Sequence, residues 1–228
     1  MKNELVVLSV GGSLIAPSGP DPAFLRNFVE FLHKHIATGT RFAIITGGGK
    51  TARQYQEGLS QTRETSQADL DQIGIYATRL NAQLLRLLLS ELAYETIIED
   101  PSAPIATDQS VIIGGGSKPG WSTDYVSVCL AENLGAKKVI NLSNIDFAYT
   151  ADPKKDPNAT PIKETNWKEF RKILPENWAP GLSSPFDPVA AKKAEELGIE
   201  VAIINGTKLE EIEKYLSGQP FVGTVVRP

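Results

Sequence analysis

The chain has one cysteine, one methionine and two histidines in 228 residues. A lone cysteine, Cys129, excludes an intramolecular disulfide and fits a reducing compartment. It falls in an apolar helical stretch with Val126, Val128 and Leu130, so it reads as a buried structural thiol rather than a nucleophile. His33 and His35 lie on a helix far from the glycine-rich turns and read as surface residues, not metal ligands. Basic charge is not in surplus: 23 Lys and Arg stand against 27 Asp and Glu, a net charge of -4. That argues against nucleic acid as a partner, since such proteins show a basic stripe. The first apolar run, Leu5 to Leu8, is too short for a signal segment or a membrane span. The chain is therefore expected to be soluble and cytoplasmic, with no membrane partner.

What the sequence has is alternation. Hydrophobic residues make up 41%, enough for a full core. Leu5–Val10, Phe42–Ile45, Val111–Ile113, Lys138–Leu142 and Ile199–Ile204 read as buried strands. Tyr94–Glu99 reads as a further short strand and Phe221–Val226 as a last one. Between them lie helical stretches. Asp21-Pro22 and Asp187-Pro188 each place an N-cap aspartate before a proline at the first helical position. One helix runs from about Lys50 to Gly58. Asp69 to Leu92 reads as a long helix apolar on more than one side, hence buried or in a subunit contact. Asp124–Leu134, Trp167–Ile173, Val189–Leu197 and Leu209–Leu216 complete the set. Residues 147–165 read as a projecting loop or hairpin, and Pro175–Pro185 as an irregular loop holding Trp178 and Gly181. The expected fold is α/β: a mostly parallel central sheet with helices on both faces.

In such sheets ligands bind beyond the carboxyl ends of the strands. Three glycine-rich turns fall there: Gly11-Gly12-Ser13, Gly47-Gly48-Gly49, and Gly114-Gly115-Gly116 continuing to Asp124. Glycine lets bare backbone N–H groups approach a ligand, and a following helix N-terminus favours anions. Lys50 and Arg53 add positive charge, and arginine grips phosphate oxygens with paired bonds. Gly49-Lys50-Thr51 resembles the end of a P-loop, but Ile44 stands where that motif needs glycine. Gly47-x-Gly49-x-x-Ala52 fits the dinucleotide fingerprint, a weak signal alone. The bland alternative is a strand–helix turn that merely needs glycines. A dinucleotide oxidoreductase would place an acid at the end of the second strand; Asp69 and Asp71 have roughly the spacing but begin a helix. Three glycine turns around one crevice suggest several phosphates, as in a nucleoside triphosphate plus a phosphorylated acceptor.

Taken together and in order, these stretches resemble the amino acid kinase superfamily, and within it the archaeal-type UMP kinases. The resemblance rests on the three turns, on Asp71-Gln72-Ile73-Gly74-Ile75 leading to Ala77-Thr78-Arg79-Leu80-Asn81-Ala82, and on Pro119-Gly120 to Ser122-Thr123-Asp124. Asn144-Ile145-Asp146, Tyr149-Thr150-Ala151-Asp152-Pro153, Asp187-Pro188 and Gly223-Thr224 also fit. It spans essentially the whole chain. It implies one kinase domain over residues 1–228, with an acceptor part to about 135 and an ATP part beyond. It implies ATP and UMP as substrates, Mg²⁺ with the ATP, and a homohexamer built from dimers. Carried over, Gly48 and Asp71 would contact UMP, with Ser117, Lys118, Pro119, Gly120, Trp121, Ser122 and Thr123 wrapping it. Gly12, Ser13, Gly49 and Arg53 would lie along the ATP phosphates, and Ser143, Asn144, Tyr149 and Asp152 would hold ATP from the other side. Lys50 and Arg53 are the expected catalytic cations. No protein metal site is expected; Asp124 reads equally as a cap or as an orderer of Mg²⁺.

Two departures stand out. Many relatives carry lysine where this chain has Ser9, and that lysine stabilises the transferring phosphoryl group. Phe147 replaces a common glycine and would reshape the adenine side. Trp121 is also unusual and reads as a base-stacking residue or a subunit contact. Isoprenoid-type phosphate kinases use a histidine near the second glycine turn, which is absent here. A non-catalytic nucleotide sensor is the reading that Ser9 itself suggests.

Overall fold

Runs rich in valine, isoleucine and leucine become strands because both faces of the sheet are covered. The computed structural model describes residues 4–176 and 184–228; Trp178 and Gly181 lie outside the described residues. Strands β1 (Leu5–Val10), β2 (Arg41–Thr46), β3 (Val111–Gly114), β4 (Lys138–Ser143), β7 (Glu164–Asn166), β8 (Glu200–Asn205) and β9 (Thr224–Arg227) form one sheet in the order β3-β2-β1-β4-β8-β9-β7. The first five of these positions pair in parallel, and β9 pairs antiparallel with β8. A small hairpin, β5 (Ala148–Tyr149) with β6 (Pro161–Ile162), stands apart, as the polar 147–165 stretch suggests.

Alternation along each strand sends side chains to two separate cores. From β1 and β2, Val6, Leu8, Val10, Phe42 and Ile44 join helices α1 (Gly12–Ile15), α2 (Pro22–Ile36), α4 (Gln67–Leu89) and α8 (Leu209–Leu216). Val7, Ala43 and Ile45 face α5 (Thr123–Leu134), α6 (Trp167–Ile173) and α7 (Pro188–Glu196). Each fully buried aliphatic side chain contributes about 1.5–3 kcal/mol. The remaining helix, α3 (Gly49–Thr62), leads off β2 and packs on α4. Both Asp-Pro caps form: Asp21 accepts from Ala23 and Phe24 N–H, and Asp187 from Val189 and Ala190 N–H.

Three expectations need correction. Tyr94–Glu99 is not a strand. Ala93 and Ile98 make single bridges to β3, and a bend at Glu95-Thr96 breaks the ladder between them. The long helix ends at Leu89, with one 3₁₀ turn over Ser90–Leu92. His35 is not a plain surface residue: it is half-buried, its ring 4.6 Å from Phe31 and 6.4 Å from Phe42, and burial lowers its pKa.

The chain leaves β1 and β2 through two glycine turns that touch backbone to backbone. Strand order reverses beside them, between β1 and β4, which is where open α/β sheets bind ligands. A Cβ on Gly12 would lie 2.1 Å from Gly49 N and 2.5 Å from Gly47 C. Gly49 has φ +63°, the left-handed region, and a Cβ there would lie 2.3 Å from Gly12 O. Neither turn can yield without moving its strand. Gly12→Ala is expected to destabilise the protein by about 3 kcal/mol or more, read by urea unfolding; an unchanged midpoint would show that the contact is soft.

Candidate functional site

Helical period decides what faces the ligand. On α3, Gly49, Ala52, Arg53 and Gln56 fall on one face; on α4, Gln67, Leu70, Asp71, Gly74, Ile75 and Thr78 do the same. These two faces, with Gly48 and the loop residues Gly116, Lys118, Trp121 and Thr123, line a cavity of about 370 Å³. Ser66 caps α4 in a capping box with Asp69, fixing the first turn and hence Asp71. Asp71 Oδ2 accepts from Gly120 N–H at 2.7 Å and Oδ1 from Gln67 Nε2 at 3.0 Å. One end of this cavity is the N-terminus of α3, where the N–H groups of Gly48 and Gly49 donate to no protein acceptor among the described residues. With Arg53 beside them, this end suits a phosphate.

A second cavity, of about 570 Å³, opens on the other side of Thr123, which lines both. Ser9 and Gly11 from the end of β1, Asn141–Ser143 from β4, and Asn144, Phe147, Tyr149, Asp152 and Lys154 from the loop and hairpin line it.

Its floor is a buried polar cluster. Ser9 and Asn141 are register partners on adjacent parallel strands, so both point to the α5 side. Asp124 lies over them: its Oδ1 accepts from Ser9 Oγ at 3.0 Å and Asn141 Nδ2 at 2.9 Å, and its Oδ2 from Asp187 N–H at 3.2 Å. All three donors are neutral. Burial, and then the nearby Asp187 carboxylate, push Asp124 up to about 6 from the ordinary 3.8. The cap of α5 is Ser122, which accepts from Tyr125 N–H, so the capping role considered for Asp124 is corrected.

Residues 4–205 match the model of the amino acid kinase family. The chain belongs to the amino acid kinase family. A uridylate kinase of Methanocorpusculum labreanum is 38% identical over 97% of this chain and 94% of its own length. A uridylate kinase of Pyrococcus abyssi is 34% identical over 98% and 99%. The crystal structure of uridylate kinase from Archaeoglobus fulgidus aligns at a TM-score of 0.82 with 32% identity, covering 97% of this chain and 99% of that one.

Within this family frame the expected residues divide unevenly. Gly48, Asp71, Lys118, Trp121 and Thr123 come together in the first cavity, and Ser143, Asn144, Tyr149 and Asp152 in the second. Gly49 and Arg53, expected along the ATP phosphates, instead line the first cavity, because they share a helical face with Ala52 and Gln56. Lys50 is exposed and lines neither; one residue past Gly49, it is turned about 100° away. Gly12 and Ser13 also line neither: they open α1, and Gly11 reaches the second cavity in their place. Ser117, Pro119, Gly120 and Ser122 shape the loop without lining the cavity. Trp121 is engaged within the protein, with Lys118 Nζ 4.0 Å from its ring and Tyr125 edge-on at 4.7 Å. Gln56 and Gln67 were missed, although helical spacing from Arg53 and Asp71 pointed to both. Phe147 lines the second cavity.

Folded Asp124 holds its proton more tightly than an unfolded aspartate. Its neutral form therefore stabilises the fold at acidic pH, and that contribution is lost as pH rises through about 6. The full difference corresponds to about 3 kcal/mol, roughly half of it between about pH 5 and about pH 7.5. Without nucleotide or divalent cation, thermal unfolding of the parent protein is expected to lose stability over that range relative to Asp124→Asn. Parallel curves for the two would contradict the assignment.

Proposed function

We infer that this chain transfers the γ-phosphoryl group of ATP to UMP, giving ADP and UDP, a step of pyrimidine nucleotide synthesis. The observation that carries the reading is the common wall at Thr123 between two cavities of different chemistry. The first takes UMP. Its phosphate lies at the Gly48–Arg53 end, next to the shared wall, and its nucleoside lies toward Asp71 and the loop of Lys118 and Trp121. The second takes ATP, between Gly11 and Ser143-Asn144 on one side and Tyr149, Asp152 and Phe147 on the other. Donor and acceptor phosphates then meet at Thr123, as direct in-line transfer requires.

The attacking group is an oxygen of the UMP phosphate. That oxygen is ionised near neutral pH because its second pKa is about 6, so no general base is needed. The protein positions the groups and neutralises charge. Arg53 and Lys118 supply positive charge on the acceptor side and Lys154 on the donor side. Ser9 supplies none; it holds Asp124 in place.

The cluster at the floor of the second cavity suits Mg²⁺ bound with the ATP. Asp124 is a carboxylate, the hard oxygen donor that this ion takes, and the donors contacting it are uncharged. Among the described residues no group of three or more His, Cys, Asp or Glu could hold a metal. The ion would be held mainly by nucleotide phosphates, with Asp124 ordering its outer ligands. Bound there, the ion would offset charge on the donor phosphates. Among the described residues no helix is long and apolar enough to cross a membrane.

Self-association belongs to the same reading. Tyr76, Leu80 and Leu87 are 57–62% exposed on the face of α4 turned from the cavity. A contiguous apolar face of this kind marks a contact between copies, consistent with dimers assembling into a hexamer. In sedimentation velocity, Leu80→Glu with Leu87→Glu is expected to release species smaller than the parent assembly; a monomeric parent protein would contradict the assignment.

A coupled assay of ATP with UMP, CMP and AMP tests the activity. UMP is expected far ahead, and Arg53→Ala is expected to lower turnover at least about tenfold. ATP binding without transfer to any acceptor would overturn the kinase reading in favour of a nucleotide sensor. Unchanged turnover in Arg53→Ala would remove Arg53 from the phosphate site.

A further inference from the structure

Arg79 lies on α4 just beyond the cavity-lining Thr78, within the Ala77–Ala82 stretch that the proposed chemistry leaves without a role. Its guanidinium spans two consecutive carbonyls of the acceptor loop: Nε donates to Gly116 O and Nη2 to Ser117 O, both at 3.1 Å. Nη1 pairs with Glu99 Oε2 at 2.7 Å, and the side chain is 19% exposed. Beside it, Thr78 Oγ1 accepts from Gly116 N–H at 2.6 Å. Farther along the loop, Lys118 O accepts from Trp121 N–H at 3.2 Å.

Peptide geometry turns this clamp into a statement about the ligand. In a trans peptide the C=O and N–H point in opposite directions. With the Gly116 and Ser117 carbonyls held toward Arg79, the N–H groups of Ser117 and Lys118 are turned away from it. Neither donates to a protein acceptor among the described residues, whereas the carbonyls of 116, 117 and 118 are all engaged. Gly116 and Lys118 both line the acceptor cavity. At Ser117 and Lys118 the loop therefore offers hydrogen-bond donors, while the carbonyls beside them are already engaged.

We propose that Arg79 is a positioning and specificity-determining residue for the acceptor. By engaging two loop carbonyls, it leaves the free N–H groups of Ser117 and Lys118 as the polar groups of this loop segment, which favours a base edge bearing carbonyl oxygens over one bearing an amino group. Uracil presents a 4-carbonyl where cytosine presents a 4-amino group. A loop of free N–H groups accepts the first and leaves the second facing a donor. Lysine cannot reproduce the role, because its ammonium is a point charge without a rigid fork.

The proposal rests on the UMP kinase reading, and the test separates the two. Steady-state kinetics with UMP and CMP, and with ATP varied, would be measured for the parent protein, Arg79→Met and Arg79→Lys, with thermal unfolding of each. Both variants are expected to raise the KM for UMP about tenfold and to lower the UMP-to-CMP ratio of kcat/KM several-fold. The KM for ATP is expected to change by less than about twofold. Arg79→Lys is expected to regain unfolding temperature through Glu99 but not UMP affinity. If the parent protein turns over no pyrimidine nucleotide, the kinase reading fails and takes the proposal with it. If the parent is active and the variants keep their KM for UMP and their base preference, the proposal alone is overturned. It is also overturned if Arg79→Lys restores kinetics and stability together, or if the KM values for ATP and UMP rise alike, since either marks a merely structural arginine.

Discussion

The backbone contact between Gly12 and the Gly47–Gly49 turn sets the distance on which the rest of the site depends. Adjacent parallel strands lie about 4.8 Å apart, and helices leaving their ends ordinarily diverge. Here two turns without side chains press together, and the chain emerges as α1 on one side and α3 on the other. That contact leaves room for ligands on both flanks. The first cavity lies along α3 and α4, and the second runs from Gly11 across β4. Thr123, at the start of α5, closes the gap and becomes the wall common to both.

Charge is arranged differently in the two cavities. The first has a helix N-terminus, Arg53 and Lys118. The second has Lys154 in its lining and a part-buried carboxylate, Asp124, contacted by neutral partners, Ser9 and Asn141, and raised toward neutrality by its surroundings. Taking a carboxylate out of water without a contacting cation is costly, and this one lines a cavity instead of lying within an apolar core. Under the proposed function, a divalent cation arriving with the nucleotide would offset that charge. Ser9 brings no charge of its own to this floor.

Much of the architecture was legible from residue order. Buried runs, Asp-Pro caps and glycine stops located almost every strand and helix, because each signal is local and agreed with its neighbours. Tyr94–Glu99 was misread because its apolar residues touch β3 at two isolated points rather than along a ladder. The site was legible by loop and less so by side chain. Lys50 and Arg53 look equivalent in sequence, yet helical period puts only Arg53 in the cavity. Asp124 was split between two roles because its partners lie 115 residues before it, at Ser9, and 63 after it, at Asp187. Arg79 gave no signal by type or spacing, since its partners are backbone carbonyls 37 and 38 residues away.

The central claim is that two nucleotides meet across one thin wall. A ligand in which adenosine and uridine are joined 5′ to 5′ through a chain of phosphates tests it most directly. Such a ligand should fill both cavities at once: it should inhibit competitively against ATP and against UMP, and bind far more tightly than either nucleotide. Competition with one substrate only, at an affinity no better than that of the matching nucleotide, would show that the two cavities do not form one continuous site.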